Sequence, residues 1–371
     1  MLADKKKFNI FSLMLDIVSF VIVFVLVVSL ILLVLFMGFN APVEPKIQTF
    51  TSGTDDILFD GITLDDGFFT FEIRRGESAQ SVGLRLERAS LISSRNLWYL
   101  ICRFGDDFLK SGTYRIEYPQ SQLAIYRILV SGRQMLHRVT IPEGVTLKKT
   151  SRIFEDAGIC SAADFLASAA DPQIISRYRI PNQTMEGYLF PDTYLFPANY
   201  PASRVVTAMA DNFFGKLENI LENTIEGGER LSPDELNRMV ILASIVEREY
   251  RVPDEAPLMS GVFLNRLRIG MALQSCATVE YIITEIQGKP HPSVILNVDL
   301  EIRSPYNTYI MPGLPPGPIS APGAVALRSV FNPQETNFLY FRLTDPQSGR
   351  HYFSRTYDEH IRAGQLVPKG N

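Results

Sequence analysis

The chain of 371 residues is poor in the residue types on which most enzyme classes depend. Its three cysteines, Cys102, Cys160 and Cys276, are widely separated, so at most one disulfide can close within the chain and no metal-finger spacing exists. Its four histidines, His137, His291, His351 and His360, form no His-x-x-x-His or Glu-x-x-His pair, so a zinc hydrolase finds no ligand set and no metal is expected. A Gly-x-Ser-x-Gly elbow and a glycine-rich phosphate loop are both missing. Their absence removes the common serine-hydrolase and nucleotide readings, and no cofactor is expected. Charge of one sign is lacking as well: 36 basic against 40 acidic residues leave a net charge of −4, which does not recommend nucleic acid as a partner.

What the chain does have is one long apolar run. After Lys5-Lys6-Lys7, residues 17–39 contain no charged side chain, and about 20 such residues cross a bilayer as one helix. The exit Met37-Gly38-Phe39-Asn40-Ala41 is a poor cleavage site, so the run reads as an uncleaved anchor rather than a signal peptide. The lysines precede the span, and acids dominate after it (Glu44, Asp55, Asp56, Asp60, Asp65, Asp66 against Lys46). The positive-inside rule then places residues 1–16 in the cytoplasm and the remainder outside, on a single-pass protein of the cytoplasmic membrane. Residues 40–66, rich in Pro, Gly, Thr, Ser and Asp, suit a linker or edge strands.

A weak internal repeat follows. Phe71-Glu72-Ile73-Arg74-Arg75-Gly76-Glu77-Ser78 matches Val139-Thr140-Ile141-Pro142-Glu143-Gly144-Val145-Thr146, and Leu86-Glu87-Arg88-Ala89-Ser90-Leu91 answers Phe154-Glu155-Asp156-Ala157-Gly158-Ile159 at the same offset. Two copies of strand, glycine turn, capped helix and helix end predict two small α+β modules, at 67–135 and 136–184. The first resembles a LysM domain, a fold that grips cell-wall aminosugars. Trp98, in Leu97-Trp98-Tyr99-Leu100-Ile101, has the setting of a core residue more than of a sugar platform.

In the second half, Leu231-Ser232-Pro233-Asp234-Glu235 specifies a helix start, with Ser232 as N-cap, Pro233 at the first helical position and Glu235 completing a capping box. Counting from there, Leu236, Val240, Ala243 and Glu247 fall on one stripe, so a carboxyl group stands among residues that want the core. Burial raises a carboxyl pKa, which suits a general acid. Pattern alone leaves Glu249 as a rival and leaves open a rim pairing of Glu247 with Arg248 or Arg251. Met185 to Phe196 reads as a strand pair or bent strand; residues 202–223 and 257–269 read as helices, with Gly270 as a stop. Strands are expected around Phe338–Phe341 and His351–Phe353.

Five stretches, in order, carry a specific resemblance: Glu186-Gly187-Tyr188-Leu189-Phe190-Pro191-Asp192-Thr193-Tyr194; Leu242-Ala243-Ser244-Ile245-Val246-Glu247; Phe263-Leu264-Asn265-Arg266-Leu267; Leu273-Gln274; and Tyr306-Asn307-Thr308-Tyr309 with Gly313-Leu314-Pro315-Pro316-Gly317-Pro318-Ile319. Together they resemble the YceG-like endolytic murein transglycosylases. The resemblance implies an α+β protein: an N-terminal transmembrane helix, a small LysM-like module and a larger α+β catalytic domain at 185–371. It further implies that Glu247 is the catalytic acid and that nascent peptidoglycan strands are cut between N-acetylmuramic acid and N-acetylglucosamine, leaving 1,6-anhydro ends. Cell-wall synthases (penicillin-binding proteins) are the implied partners. Glu186, Asp192, Asn265, Gln274, Tyr306, Asn307 and Tyr309 are the expected substrate-binding residues, the amides for hydroxyl and acetamido groups and the tyrosines for ring faces. One departure stands out: where the family commonly continues Leu-Gln with a small residue and Asp-Pro, this chain reads Ser275-Cys276-Ala277. The alternatives are a hydrolytic muramidase, whose second carboxylate would come from Glu280, Asp254 or Asp192, and a non-catalytic wall-binding scaffold.

Overall fold

The structure, a computed structural model, describes residues 10–43, 57–59, 62–65, 67–224 and 231–365. The Lys5–Lys7 cluster and most of the 40–66 linker lie outside the described residues. The chain divides into two compact units, Met1–Met135 and Leu136–Asn371. Helices and sheets are mixed in both, an α+β construction.

The first unit opens with helix α1 (Ile10–Asn40), whose 24 residues from Ile17 to Asn40 are long and apolar enough to cross a membrane. Strand β1 (Pro42–Val43) follows, then β2 (Ile57–Phe59), β3 (Ile62–Asp65) and β4 (Phe68–Ile73). Helices α2 (Ala79–Arg88) and α3 (Arg95–Phe104) lead to β5 (Gly112–Glu117), β6 (Gln120–Ser121) and α4 (Gln122–Ser131). Strands β2-β3-β4-β5 form one antiparallel sheet in that order, and β1 pairs with β6. Phe69, Phe71, Leu86, Trp98 and Tyr114 fill the core beneath the sheet. Trp98 is fully buried and donates its indole N–H to the Ala79 carbonyl at 3.0 Å, so its face packs against protein.

The second unit begins with β7 (Leu136–Thr140), α5 (Leu147–Asp156), α6 (Ala162–Ala169) and α7 (Pro172–Arg177). Strand β8 (Thr193–Pro197) returns antiparallel to β7, with Val139 opposite Tyr194. Residues 185–192, expected as strand, are irregular, because Met185, Tyr188, Leu189 and Phe190 are all drawn into the core and no alternation survives. Helix α8 (Ala202–Thr224) precedes α9 (Pro233–Val246), α10 (Ala256–Arg268) and α11 (Cys276–Tyr281), which continues into a wider π-helical turn at Ile282–Ile286. Gly270 takes φ +71° just past α10, the left-handed stop that glycine adopts without strain. The chain closes with α12 (Ala324–Phe331), the antiparallel pair β9 (Tyr340–Asp345) and β10 (Arg350–Ser354), and α13 (Tyr357–Ala363). One apolar core runs through the unit from Val139 and Phe154 to Val330, so segment 136–184 shares its core with the helices that follow.

Candidate active site

Helix α9 is specified from its first residue. Glu235 accepts the Ser232 N–H at 2.8 Å while its own N–H donates to the Ser232 hydroxyl at 3.3 Å, the reciprocal capping box the sequence predicts. Residues 240–246 are then buried without interruption, and the regular helix ends where Glu247 begins. Glu247 keeps helical φ/ψ and donates its N–H to Ala243 at 2.8 Å, so its side chain leaves the core from a fixed stem. It is half-buried, as its place on the Leu236-Val240-Ala243 stripe requires.

A proline-rich segment crosses the last turn of α9 and is tied to it by buried bonds. The Ile319 N–H donates to the Ser244 hydroxyl at 3.0 Å, and the Ser320 hydroxyl donates to the Ser244 carbonyl at 2.9 Å. The same segment pairs with the β7–α5 turn: Gly144 N–H reaches Ala321 at 2.9 Å and Ala321 N–H reaches Val145 at 2.8 Å. Carried between them, the Gly323 N–H donates to Glu247 Oε2 at 2.9 Å. The Tyr250 hydroxyl approaches both carboxyl oxygens at 3.3 and 3.4 Å.

These surroundings decide the charge of Glu247. Burial pushes its carboxyl up to about 7; the Gly323 N–H opposes that rise, the nearby Glu143 adds to it, and Tyr250 and Arg248 act against it. A carboxyl titrating near neutrality can hand over a proton and take one back within a single turnover. Arg248 does not close the rim pairing with Glu247. Its Nη2 meets Glu280 at 2.7 Å and its Nη1 donates to the Gly144 carbonyl at 3.3 Å, so the guanidinium ties α11 and the β7–α5 turn together.

Glu249, the rival on pattern, turns the other way and accepts the Ser275 hydroxyl, and burial raises its pKa. Beyond it lies a second cluster. Gln274 N–H donates to the Thr308 carbonyl at 3.0 Å, Ser275 N–H donates to the Thr308 hydroxyl at 3.1 Å, and Cys276 Sγ lies 3.0 Å from the Tyr309 hydroxyl. The Leu-Gln and Tyr-Asn-Thr-Tyr motifs are thus one structural unit, joined to the Glu247 turn through Glu249. The Gln274 side chain is exposed, and its backbone takes φ +51°, a left-handed conformation uncommon for a non-glycine residue and one that functional sites collect. Tyr306 is half-buried and tilts against Tyr281 with ring centroids 5.2 Å apart.

Other expected sugar ligands have different work. Both amide N–H groups of Asn265 are taken by the Thr336 and Phe338 carbonyls, at 2.8 and 3.0 Å, and its oxygen accepts from Arg268. Asn307 is fully buried, donates to Leu300 and Ile302 at 2.9 and 2.8 Å and accepts the Tyr309 N–H at 3.0 Å. With both donors of each taken by backbone carbonyls, the two asparagines hold loops in place and have no N–H left for a sugar hydroxyl. Glu186 is buried and receives the Leu147 N–H on both oxygens, at 3.0 and 3.1 Å; burial pushes it to about 8. Asp192 bonds the Asn212 amide at 3.1 Å, on the α8 side of the unit. Glu280, one source considered for a second carboxylate, is held by Arg248 and by His291 at 2.9 Å. Among the described residues no group of three or more His, Cys, Asp or Glu side chains is disposed to hold a metal ion.

The sequence reading missed Ser244, Tyr250, Gly323 and Glu143 as neighbours of Glu247. Glu143 alone had a signal, its place in the turn of the internal repeat.

Comparison with known proteins bears on the same residues. The sequence model of the YceG-like family matches residues 71–365. Two proteins of Streptococcus pneumoniae, each named endolytic murein transglycosylase, are 28% identical over 336 residues, which is 80% of this chain and 57% of theirs. The chain therefore spans a little over half the length of those relatives. A Bacillus subtilis protein of the same name is 27% identical over 311 residues, 78% of this chain and 82% of its own. The crystal structure of a YceG-like protein from Listeria monocytogenes superposes with a TM-score of 0.51 at 28% identity, over 80% of this chain and 98% of that one.

Proposed function

The chain belongs to the YceG-like family, and we propose that it is a membrane-anchored lytic transglycosylase that cuts peptidoglycan strands internally, with Glu247 as its acid and base. The observation that carries this reading is the Glu247 carboxyl itself. It is held on one oxygen by the Gly323 N–H and poised near pH 7 by burial, at the end of a helix that cannot shift without disturbing the core. The names of the pneumococcal and Bacillus relatives supply the substrate class.

In this reaction Glu247 gives its proton to the oxygen linking N-acetylmuramic acid to N-acetylglucosamine, and the bond from that oxygen to the muramic anomeric carbon breaks. The muramic C6 hydroxyl oxygen then bonds to that carbon and returns its proton to Glu247. Atoms balance without water, so the new end is a 1,6-anhydro sugar. Because the nucleophile belongs to the substrate, the second carboxylate of ordinary glycosidases is not needed as nucleophile or base. Exposed Gln274 and the faces of Tyr306 and Tyr309 are the proposed sugar contacts; Asn307 holds the loop that carries the two tyrosines, while Asn265 fastens the 336–338 segment and Glu186 the start of α5. Asp192, bonded to Asn212, is proposed to contact a more distant part of the strand.

Helix α1 is proposed to hold the N-terminus in the cytoplasm and the second unit outside, where cell-wall synthases release nascent strands. The strand–helix–helix–strand portion of the first unit is proposed as a LysM-like glycan grip. Mass spectrometry of fragments released from purified sacculi by the detergent-solubilised full chain tests the assignment. Ends lighter by one water are expected. Reducing muramic ends would replace it with hydrolysis, and binding without fragments would replace it with a scaffold.

A further inference from the structure

The strongest group left unused by this mechanism is the carboxyl of Glu143. It sits in the turn between β7 and α5, is exposed to solvent, and rests against Gly323 so closely that a Cβ on that glycine would lie 1.9 Å from Glu143 Oε1. Gly323 is also the residue whose N–H holds Glu247 Oε2 at 2.9 Å. Two carboxyl groups therefore flank one residue, and covalent geometry bounds the distance between those oxygens at under about 8 Å. Gly144, next to Glu143, also lies beside the acid: a Cβ there would be 3.6 Å from Glu247 Cγ.

We infer that Glu143 is a positioning residue for the reaction, a second carboxylate that acts through Glu247 across Gly323 and keeps the Glu247 proton in place until substrate takes it. The inference rests on the transglycosylase reading and names a member of that same site.

Like charges this close oppose joint ionisation, an effect set against the Gly323 N–H, Tyr250 and Arg248, which favour the ionised form. From the β7–α5 turn the facing group is Glu143; from the proline-rich segment it is an uncharged N–H; from the turn after α9 they are Arg248 and Tyr250. Among the described residues the cation that faces Glu247 is Arg248, and it is also bound to Glu280 of α11 at 2.7 Å. The Tyr250 phenol is raised by burial, so it stays a donor and adds no charge. The shift of Glu247 towards 7 includes a contribution from Glu143, consistent with this placement. Sequence also explains the glycine: at position 323 a side chain would displace the Glu143 carboxyl, and only hydrogen there lets both acids approach one peptide.

The test is the pH profile of glycan cleavage by the full chain, in detergent at low salt, for wild type, Glu143→Gln, Glu143→Asp and Gly323→Ala. A unit charge at this distance in a partly hydrated site moves a neighbour by about half to one pH unit. In Glu143→Gln the alkaline limb should move to lower pH by that amount, so that the drop in activity from pH 6 to pH 8, about tenfold in the wild type, becomes about 25- to 50-fold. Glu143→Asp should keep most of the wild-type profile, Gly323→Ala should follow Glu143→Gln, and the displacement should shrink as salt screens the pair. A limb that stays put in Glu143→Gln, or a loss equal at all pH values, would overturn the inference. Should the wild type cleave no glycan, the transglycosylase reading fails separately. NMR titration of the Glu247 carboxyl carbon, assigned by its loss in Glu247→Gln, then decides whether Glu143→Gln shifts it down.

Discussion

The two strand–turn–helix copies of this molecule share a local design and differ in what their turns face. In each, a glycine at φ near +75° closes the turn (Gly76 at +79°, Gly144 at +72°), and a hydroxyl caps the next helix: Ser78 accepts the Ser81 N–H and Thr146 the Lys149 N–H, both at 3.2 Å. Each helix ends alike, with Leu91 N–H on Leu86 and Ile159 N–H on Phe154, both at 2.9 Å. In the first copy the turn acid Glu77 is met by Arg85 of its own helix at 2.7 Å, and that guanidinium lies over Phe71. In the second, Ile153 stands where Arg85 stands, and the turn bonds outward instead, through Gly144 to Ala321 and Arg248 and through Leu147 to Glu186. A turn that neutralises itself is a piece of scaffold. One that leaves its polar groups open is available to build a site.

The largest expected effect lies where the second turn meets α9. Glu247→Gln keeps the shape and removes the transferable proton, so cleavage should fall about 10²–10⁴-fold with the thermal midpoint unchanged. In the wild type, rate should decline above about pH 7 as the carboxyl ionises. A variant within tenfold of wild type would break the assignment. Next comes Glu186→Ala, which strips the α5 start of its acceptor and leaves a cavity; a loss of about 2–3 kcal/mol in thermal unfolding is expected, larger than from any single cap.

The pH sign follows from the Glu186 shift. Its folded pKa of about 8 exceeds the unfolded value of 4.5, so its stabilising contribution is complete below 4.5 and is lost as pH rises towards 8. Glu186→Gln cannot ionise and should flatten that slope; an unchanged slope would place the dependence elsewhere. Smaller again, Glu77→Ala should cost the first unit about 1–3 kcal/mol while leaving the turnover of bound glycan as it was, because that turn closes on its own arginine. An equal fall in turnover would erase the contrast between the copies. Least, Ser78→Ala and Thr146→Ala should each cost about 1 kcal/mol, and similar values from calorimetry would show that the caps share one local role.

Much of this was legible along the chain because it is local. The capping box at Ser232 and Glu235, the helices α8 and α10, the Gly270 stop and the half-buried stripe position of Glu247 each depend on residues within a few turns of one another. What the sequence did not show is which backbone carbonyls, near or far along the chain, would engage its polar side chains. Asn265 and Asn307 have the right chemistry for sugar, yet part-buried carbonyls 71 and 73 residues from the first, and 7 and 5 from the second, consume their donors. A carbonyl turned partly away from water needs a partner, and sequence does not say which amide will supply it. Residues 185–192 failed for a related reason, since burial on all sides erases the alternation by which a strand is read.

The sequence by itself determined that this chain has a membrane-length apolar helix, an α+β body with a repeated strand–turn–helix unit, and one acid on the dry face of a helix. Periodicity and capping depend on neighbours that the chain supplies in order. Only the tertiary structure decided what that acid meets. The Gly323 N–H arrives from 76 residues away and the Glu143 turn from 104, as the distance from Gly144 to Arg248 measures. Hydrogen bonds and charges act through space over a few ångströms whatever the separation along the chain, so the proton on Glu247 is set by packing that no local pattern records.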